Sequence, residues 1–259
     1  MGDCMDTSRI GFSCISSLAD PSAWVYGLEE LGFSAWEYVA DGDDALIPQR
    51  LSLLRDVRDT TSLTITVHAP FSDLNMASLI HRIWEDSVEA IMETMRLTAE
   101  LSEMITVHPG HLSPYAMGRV DLAKQRLIEA LERLSGAAEE YGFTLGVENM
   151  PEFKYVFCRT RDEVEEVIEA VDSPHLGITL DVGHANTTGT LDDFLRSEHI
   201  VHAHIHDNMK DHDSHLTIGE GSIEWGAVMD SLLGRNITMI IEARTLESGA
   251  ASLEFLRSL

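Results

Sequence analysis

The chain has 259 residues, of which 44% are hydrophobic, so it is long and apolar enough to bury one sizeable core. Its 18 Lys and Arg stand against 44 Asp and Glu, and the formal net charge is −26. A surface this acidic repels phosphate backbones and anionic membranes. Such a surface is typical of a protein dissolved in a salty cytoplasm. The alternative interpretation is that the acidic residues form a patch that binds a basic partner.

Short β-branched runs alternate with longer amphipathic stretches along the whole chain. The runs predict eight strands, at 9–16, 33–39, 63–69, 104–108, 144–149, 176–182, 200–206 and 238–243. The stretches between them predict eight helices, at 22–31, 45–59, 76–102, 117–141, 160–171, 190–196, 223–233 and 248–258. Such alternation implies parallel strands joined by right-handed crossovers. An open doubly wound sheet uses the same elements, but the count of eight and the length favour a single (β/α)8 TIM barrel over residues 1–259.

The sequence gives no sign of a membrane or secretory segment. Residues 1–9 lack a basic region followed by an apolar stretch, and no apolar run approaches the roughly 20 residues of a membrane helix. The cysteines, Cys4, Cys14 and Cys158, show no C-x-x-C spacing, so neither a disulfide framework nor a zinc ribbon is indicated. We therefore expect a cytoplasmic protein with reduced thiols and no membrane partner.

Imidazoles and carboxylates stand at the C-terminal ends of six successive predicted strands and in one following loop. In a TIM barrel these strand ends converge, and active sites are built there. Burying the groups without partners would cost several kcal/mol in total. A divalent metal removes this cost, because it binds His nitrogens and carboxylate oxygens at about 2.0–2.2 Å. The residues are His68, His108, Glu148, Asp181, His184, His204, Asp213, His215 and Glu242.

Each of these residues has a structural explanation when taken alone. A single His68 is more often a hydrogen-bonded histidine than a ligand, and a single Glu148 can be an ion-pair partner. His202, His204 and His206 alternate along one strand and therefore point the same way. Three ligands there would be crowded, so we expect at least one of them to have a structural role. The joint placement of the groups carries the prediction of a metal site.

Several segments resemble those of the xylose isomerase-like TIM-barrel superfamily. They are VHAPFSDLN, VHPG, GVENM, LDVGHAN, HIHDN, DSHLTIGEG and IIEAR, which lie between about residues 63 and 244. That superfamily contains sugar isomerases and epimerases, and also the endonuclease IV class of abasic-site endonucleases. The motifs together are specific for the superfamily and much less so for one member.

The resemblance implies two different ligand sets. The endonuclease IV class holds three zinc ions on nine ligands, and all nine residues above match. Glu148 would bridge the first two sites, and the third would use His184, Asp213 and His215. His204 is aligned in preference to His206, because it stands three residues before Asp207. The sugar epimerases hold one metal on four residues, which match Glu148, Asp181, His204 and Glu242.

Two enzyme functions and one non-catalytic function follow. A metal-dependent isomerase or epimerase of a sugar, sugar phosphate or polyol would use Glu148 and Glu242 as base and acid, with His184 on a substrate hydroxyl or on another metal. An abasic-site endonuclease or phosphodiesterase is the alternative. The acidic body and Phe71, which stands where the endonucleases have tyrosine, count against DNA. A barrel that only binds metal or a partner is the third. We expect one to three Zn²⁺ or Mn²⁺ ions and a small carbohydrate substrate.

Overall fold

The fold is a closed barrel of eight parallel strands, in a computed structural model that describes residues 5–14, 20–42 and 45–259. Neighbours in the barrel follow chain order, and the last strand pairs with the first. This confirms the predicted (β/α)8 TIM barrel. The strands are β1 (Ile10–Cys14), β2 (Ala35–Val39), β3 (Thr64–His68), β4 (Met104–Val107), β5 (Thr144–Glu148), β6 (Leu176–Asp181), β7 (Ile200–Ile205) and β8 (Met239–Ala243).

Helices connect the strands and cover the outside of the barrel. No helix formed by the described residues combines the length and the apolar character needed to cross a membrane. The α-helices are α1 (Leu28–Leu31), α2 (Pro48–Thr60), α3 (His81–Thr98), α4 (Val120–Tyr141), α5 (Arg161–Val171), α6 (Val182–Thr188), α7 (Leu191–Phe194), α8 (Trp225–Leu233) and α9 (Leu246–Arg257).

Two predicted helices need correction, and one helix of the structure was not predicted. Most of the helix predicted at 22–31 consists of two short 3-10 turns, and only its last residues form α1. The helix predicted at 76–102 begins at His81 because Asn75 holds the preceding segment as a turn: its Oδ1 accepts from Ala77 N and its Nδ2 donates to the carbonyl of His111. Helix α6 was not predicted. The end of the first predicted strand, residues 15–16, and Cys4 lie outside the described residues.

The centre of the barrel is polar. Interiors of such barrels are usually filled by layers of branched aliphatic side chains. Here Thr106 of β4 and Thr179 of β6 join their hydroxyls at 2.9 Å across the interior. Gly146 of the intervening strand makes room, because a Cβ at that position would overlap the Thr179 side chain. The inward residues of this polar layer are all buried: Glu37, Thr66, Thr106, Thr179, His202 and His204.

Candidate metal centre

The strand ends and the segments that follow them bring the nine predicted site residues together at the C-terminal end of the barrel. His68, Glu148 and Asp181 are the last residues of their strands, and Asp181 is paired in register with His204. Successive side chains of a strand point to opposite faces of the sheet. The site residues that lie on strands all point inward, so they line one cavity. Six of the nine are buried: His68, Glu148, Asp181, His184, His204 and Glu242.

Glu148 lies at the middle of the first donor group. Its Oε2 is 3.2 Å from Nε2 of His68 and 3.0 Å from Nε2 of His108. The other ring nitrogen of His68, Nδ1, is 2.9 Å from the carbonyl oxygen of Ala69. Since a carbonyl only accepts hydrogen bonds, Nδ1 of His68 carries a proton and Nε2 is left to face the carboxylate. Two lone pairs that face each other need a proton or a metal ion between them.

His184 repeats this arrangement at the start of α6. Its Nδ1 is 2.8 Å from the carbonyl oxygen of Asn149, which leaves Nε2 facing Oδ2 of Asp213 at 3.3 Å. Nε2 of His215 lies 3.1 Å from the same Asp213 oxygen. The predicted third group is therefore assembled around one carboxylate oxygen. Metal-ligating histidines typically donate one ring N–H to a carbonyl or carboxylate and keep the other nitrogen for the ion, and His184 is held by Asn149 in this way.

The second donor group is centred on His204. Its Nδ1 lies 3.3 Å from Oε1 of Glu148 and 3.3 Å from Oε1 of Glu242. Ligand atoms of Asp181, Glu148 and His204 all lie within 4.8 Å of one another. The four residues of the epimerase-like set are thus adjacent, and Glu148 joins this group to the first.

Shared protons balance the charges of the cluster. Burial opposes a charged His184, but the carboxylates of Asp181, Asp213 and Glu148 raise its pKa to about 10. Burial raises the pKa of Glu242 to about 7. Burial also disfavours a charged Glu148, yet His108 and His204 hold its pKa well below the usual value. These groups fit a divalent cation, which would replace the shared protons.

Three further residues belong to the cluster. The sequence left the roles of His202 and His206 open, and it did not single out Glu37. Nε2 of His206 lies 3.2 Å from Oδ1 of Asp181, and its ring stacks on that of His215 with centroids 3.8 Å apart. His202 lies deeper, against Glu37. The available signal for Glu37 was a single acidic residue at an inward position of the apolar strand AWEYV.

Comparison with known proteins identifies the family. The sequence model of the xylose isomerase-like TIM barrel matches residues 25–259. The uncharacterized protein MJ1311 of Methanocaldococcus jannaschii is 37% identical over 238 residues, which cover 89% of this chain and 81% of the relative. The crystal structure of a D-tagatose 3-epimerase-like protein has a TM-score of 0.90 at 34% identity, with 96% of each chain covered.

A nuclease shares the fold as well. Endonuclease IV from Thermus thermophilus has a TM-score of 0.71 at 22% identity, with 96% of this chain and 98% of that chain covered. At this identity the likeness concerns the fold alone. The match to the family model over nearly the whole chain, together with the relatives above 30% identity, shows that this chain belongs to the xylose isomerase-like TIM barrel family.

Proposed function

We propose that this chain is a divalent-metal-dependent isomerase or epimerase of a sugar, sugar phosphate or related polyol. One observation carries the proposal: Glu148 and Glu242 each place Oε1 3.3 Å from Nδ1 of His204. Their strands, β5 and β8, are three positions apart around the barrel, so the two carboxylates approach the cavity from different directions. Such a pair suits proton removal on one side of a substrate carbon and proton return on another.

The four residues around this point would hold one Zn²⁺ or Mn²⁺ ion: Glu148, Asp181, His204 and Glu242. When bound, the ion supplies Lewis-acid polarisation of a substrate carbonyl. Glu148 and Glu242 take the proton from the carbon next to the carbonyl and give it back, so the substrate passes through an enediolate. His184 would hydrogen-bond a substrate hydroxyl or hold another metal ion. Burial of both glutamates keeps bulk water from competing for the proton.

A zinc-dependent abasic-site endonuclease is the second candidate, and a specific observation favours it. His68 and His108 on Glu148, and His184 and His215 on Asp213, form donor groups beyond the four residues that an epimerase needs. Two neighbouring ions could clamp a phosphate ester and activate water.

Two features disfavour DNA as the substrate. The net charge of −26 opposes binding of a polyanion, because the counterion-release contribution to DNA affinity needs basic contacts. Phe71 stacks on His108 with ring centroids 4.5 Å apart, and it has no hydroxyl for a phosphate or a sugar. Basic residues that could contact a phosphate are few in the described loops beside the cluster. Lys210 and Arg244, which are both exposed, are among the exceptions.

Turnover of the Glu148→Gln variant tests the proposal. The substitution keeps the shape of the side chain and removes its base, so the isomerisation rate on a panel of ketoses should fall by about 10²–10⁴-fold. Glu166→Gln is the matched control, because Glu166 pairs with Lys124 on the outer helices and should retain full activity. Full turnover by Glu148→Gln would overturn the proposed mechanism.

The metal content of protein purified without chelators separates the two candidates. Elemental mass spectrometry should find close to one metal per chain for the epimerase. Close to three zinc ions per chain, together with nicking of duplex DNA that contains an abasic site, would establish the endonuclease instead.

A further inference from the structure

His204 is fixed differently from the other histidines of the centre. His68 and His184 each use Nδ1 on a backbone carbonyl and turn Nε2 toward the cluster. The ring of His204 is reversed. Its Nε2 lies 2.8 Å from Oε1 of Glu37, below the cluster, and its Nδ1 faces Glu148 and Glu242. At His204 an ion-pair contact with a side-chain carboxylate therefore takes the place that a hydrogen bond to a backbone carbonyl has at the other two histidines.

Glu37 is itself held in position from two further sides. Its Oε2 accepts a hydrogen bond of 3.0 Å from the hydroxyl of Thr66 on the adjacent strand, and Nε2 of His202 lies 2.9 Å from the same oxygen. The Glu37 side chain is fully buried. Burial of a carboxylate is costly unless partners satisfy it, and here Oε2 has two hydrogen-bond partners while Oε1 is in ion-pair contact with His204. These contacts fix the direction in which Oε1 points.

We propose that Glu37 is a positioning residue for the metal centre, which orients the ring of His204 and directs its Nδ1 toward the ion. Donation of Nε2–H to a carboxylate fixes the tautomer of the ring and makes the opposite nitrogen a better ligand. Thr66 and His202 position Glu37 in turn. The inference rests on the proposed metal site at His204 but not on the reaction, because epimerase and endonuclease would both use this ligand.

The test compares the metal affinity of variants in the polar layer. Glu37→Gln keeps the size of the side chain and loses its charge. We expect its Zn²⁺ affinity, measured by competition with a chromogenic chelator, to fall by about 10–100-fold. The visible spectrum of the Co²⁺-loaded protein should change as well, since that spectrum reports the ligands around the ion. Circular dichroism shows whether each variant is folded.

A matched pair of threonine variants guards against misfolding of Glu37→Gln. Thr66→Val removes a hydrogen bond to Glu37, whereas Thr106→Val removes one to Thr179 in the same layer and leaves Glu37 untouched. Zn²⁺ affinity should fall several-fold for Thr66→Val and stay at the parent value for Thr106→Val. Parent-like affinity in every folded variant of Glu37 and Thr66, or equal losses for both threonines, overturns the inference.

The metal titration also separates this inference from the proposed function. A parent protein that takes up no metal overturns the metal site and the role of Glu37 together. A parent that binds metal but turns over no sugar overturns only the epimerase, and the comparison of Glu37 variants stands unchanged.

Discussion

Two buried groups of the centre make the metal-free protein sensitive to pH. The pKa of His184 rises from 6.5 to about 10, so its stabilising contribution is complete below about pH 6.5 and is lost as pH rises toward 10. The pKa of Glu242 rises from 4.5 to about 7 because burial favours its protonated form. Its contribution is complete below about pH 4.5 and is lost as pH rises through 7. Both groups therefore act in the same direction.

We expect the unfolding temperature of the chelated protein to fall between pH 5 and pH 9. Bound metal should reverse this trend, since ligands must lose their protons to bind an ion and the gain from metal grows with pH. Thermal denaturation with and without a chelator at pH 5, 7 and 9 measures both effects. The His184→Gln variant, which lacks the raised pKa, should show a flatter curve without metal. A rising curve for the chelated parent would contradict the assignment.

Side chains at strand ends could be predicted from the sequence, whereas the role of Glu37 inside the barrel could not. His68, Glu148 and Asp181 follow apolar runs directly, so the strand period and the fold together place them at one rim. Glu37 lies in the middle of a strand. A single acidic residue there does not indicate which other strand will supply the side chains that contact it. Its partner His202 is 165 positions away in the chain, and only barrel closure brings the two together.

Helix α6 has no periodic sequence signal, yet local contacts determine where it begins and how it packs. β6 ends at Asp181 and α6 begins at Val182, so no loop separates them. The Asp181 side chain caps the helix by accepting from the backbone N–H of His184 at 2.6 Å. A helix of seven residues is too short to show an amphipathic repeat, and here its first five residues are all buried. The cap and the burial determine this helix, and neither can be read from periodicity.

Gly183 in this helix provides the space that His206 occupies. A Cβ at position 183 would overlap the imidazole ring of His206, which is buried and contacts Asp181. We expect Gly183→Ala to destabilise the protein by about 1–3 kcal/mol, as overpacking of a core does, and to weaken metal binding. Urea denaturation and a metal titration measure the two effects.

Gly136→Ala is the control for this substitution. Gly136 lies within α4, and a Cβ there would meet no atom within 4 Å. The free energy of unfolding of this variant should rise by up to about 1 kcal/mol, because alanine has a higher helix propensity than glycine. Equal stability changes for the two alanine variants would show that the contact with His206 has no energetic weight.

The acidic surface affects the stability of the whole molecule. A formal charge of −26 on one compact barrel gives self-repulsion, which favours the unfolded chain and is weakened by salt. We expect the unfolding temperature at neutral pH to rise from 0.05 M to 1 M KCl, by about 2–4 °C for each kcal/mol gained. Differential scanning calorimetry of the chelated protein measures the shift. An unfolding temperature that falls with KCl would show that ion pairs outweigh the repulsion.

Closure of the barrel has a consequence for the lifetime of the folded state. Ser13 of β1 is paired in register with Glu242 of β8, while Glu148 comes from the middle of the chain. A chain that has built only its first strands therefore lacks Glu242 and the loop that carries Asp213 and His215. The complete centre exists only once the last strand has docked, which is late in folding because the contact joins distant segments. An ion held there would slow unfolding without speeding folding.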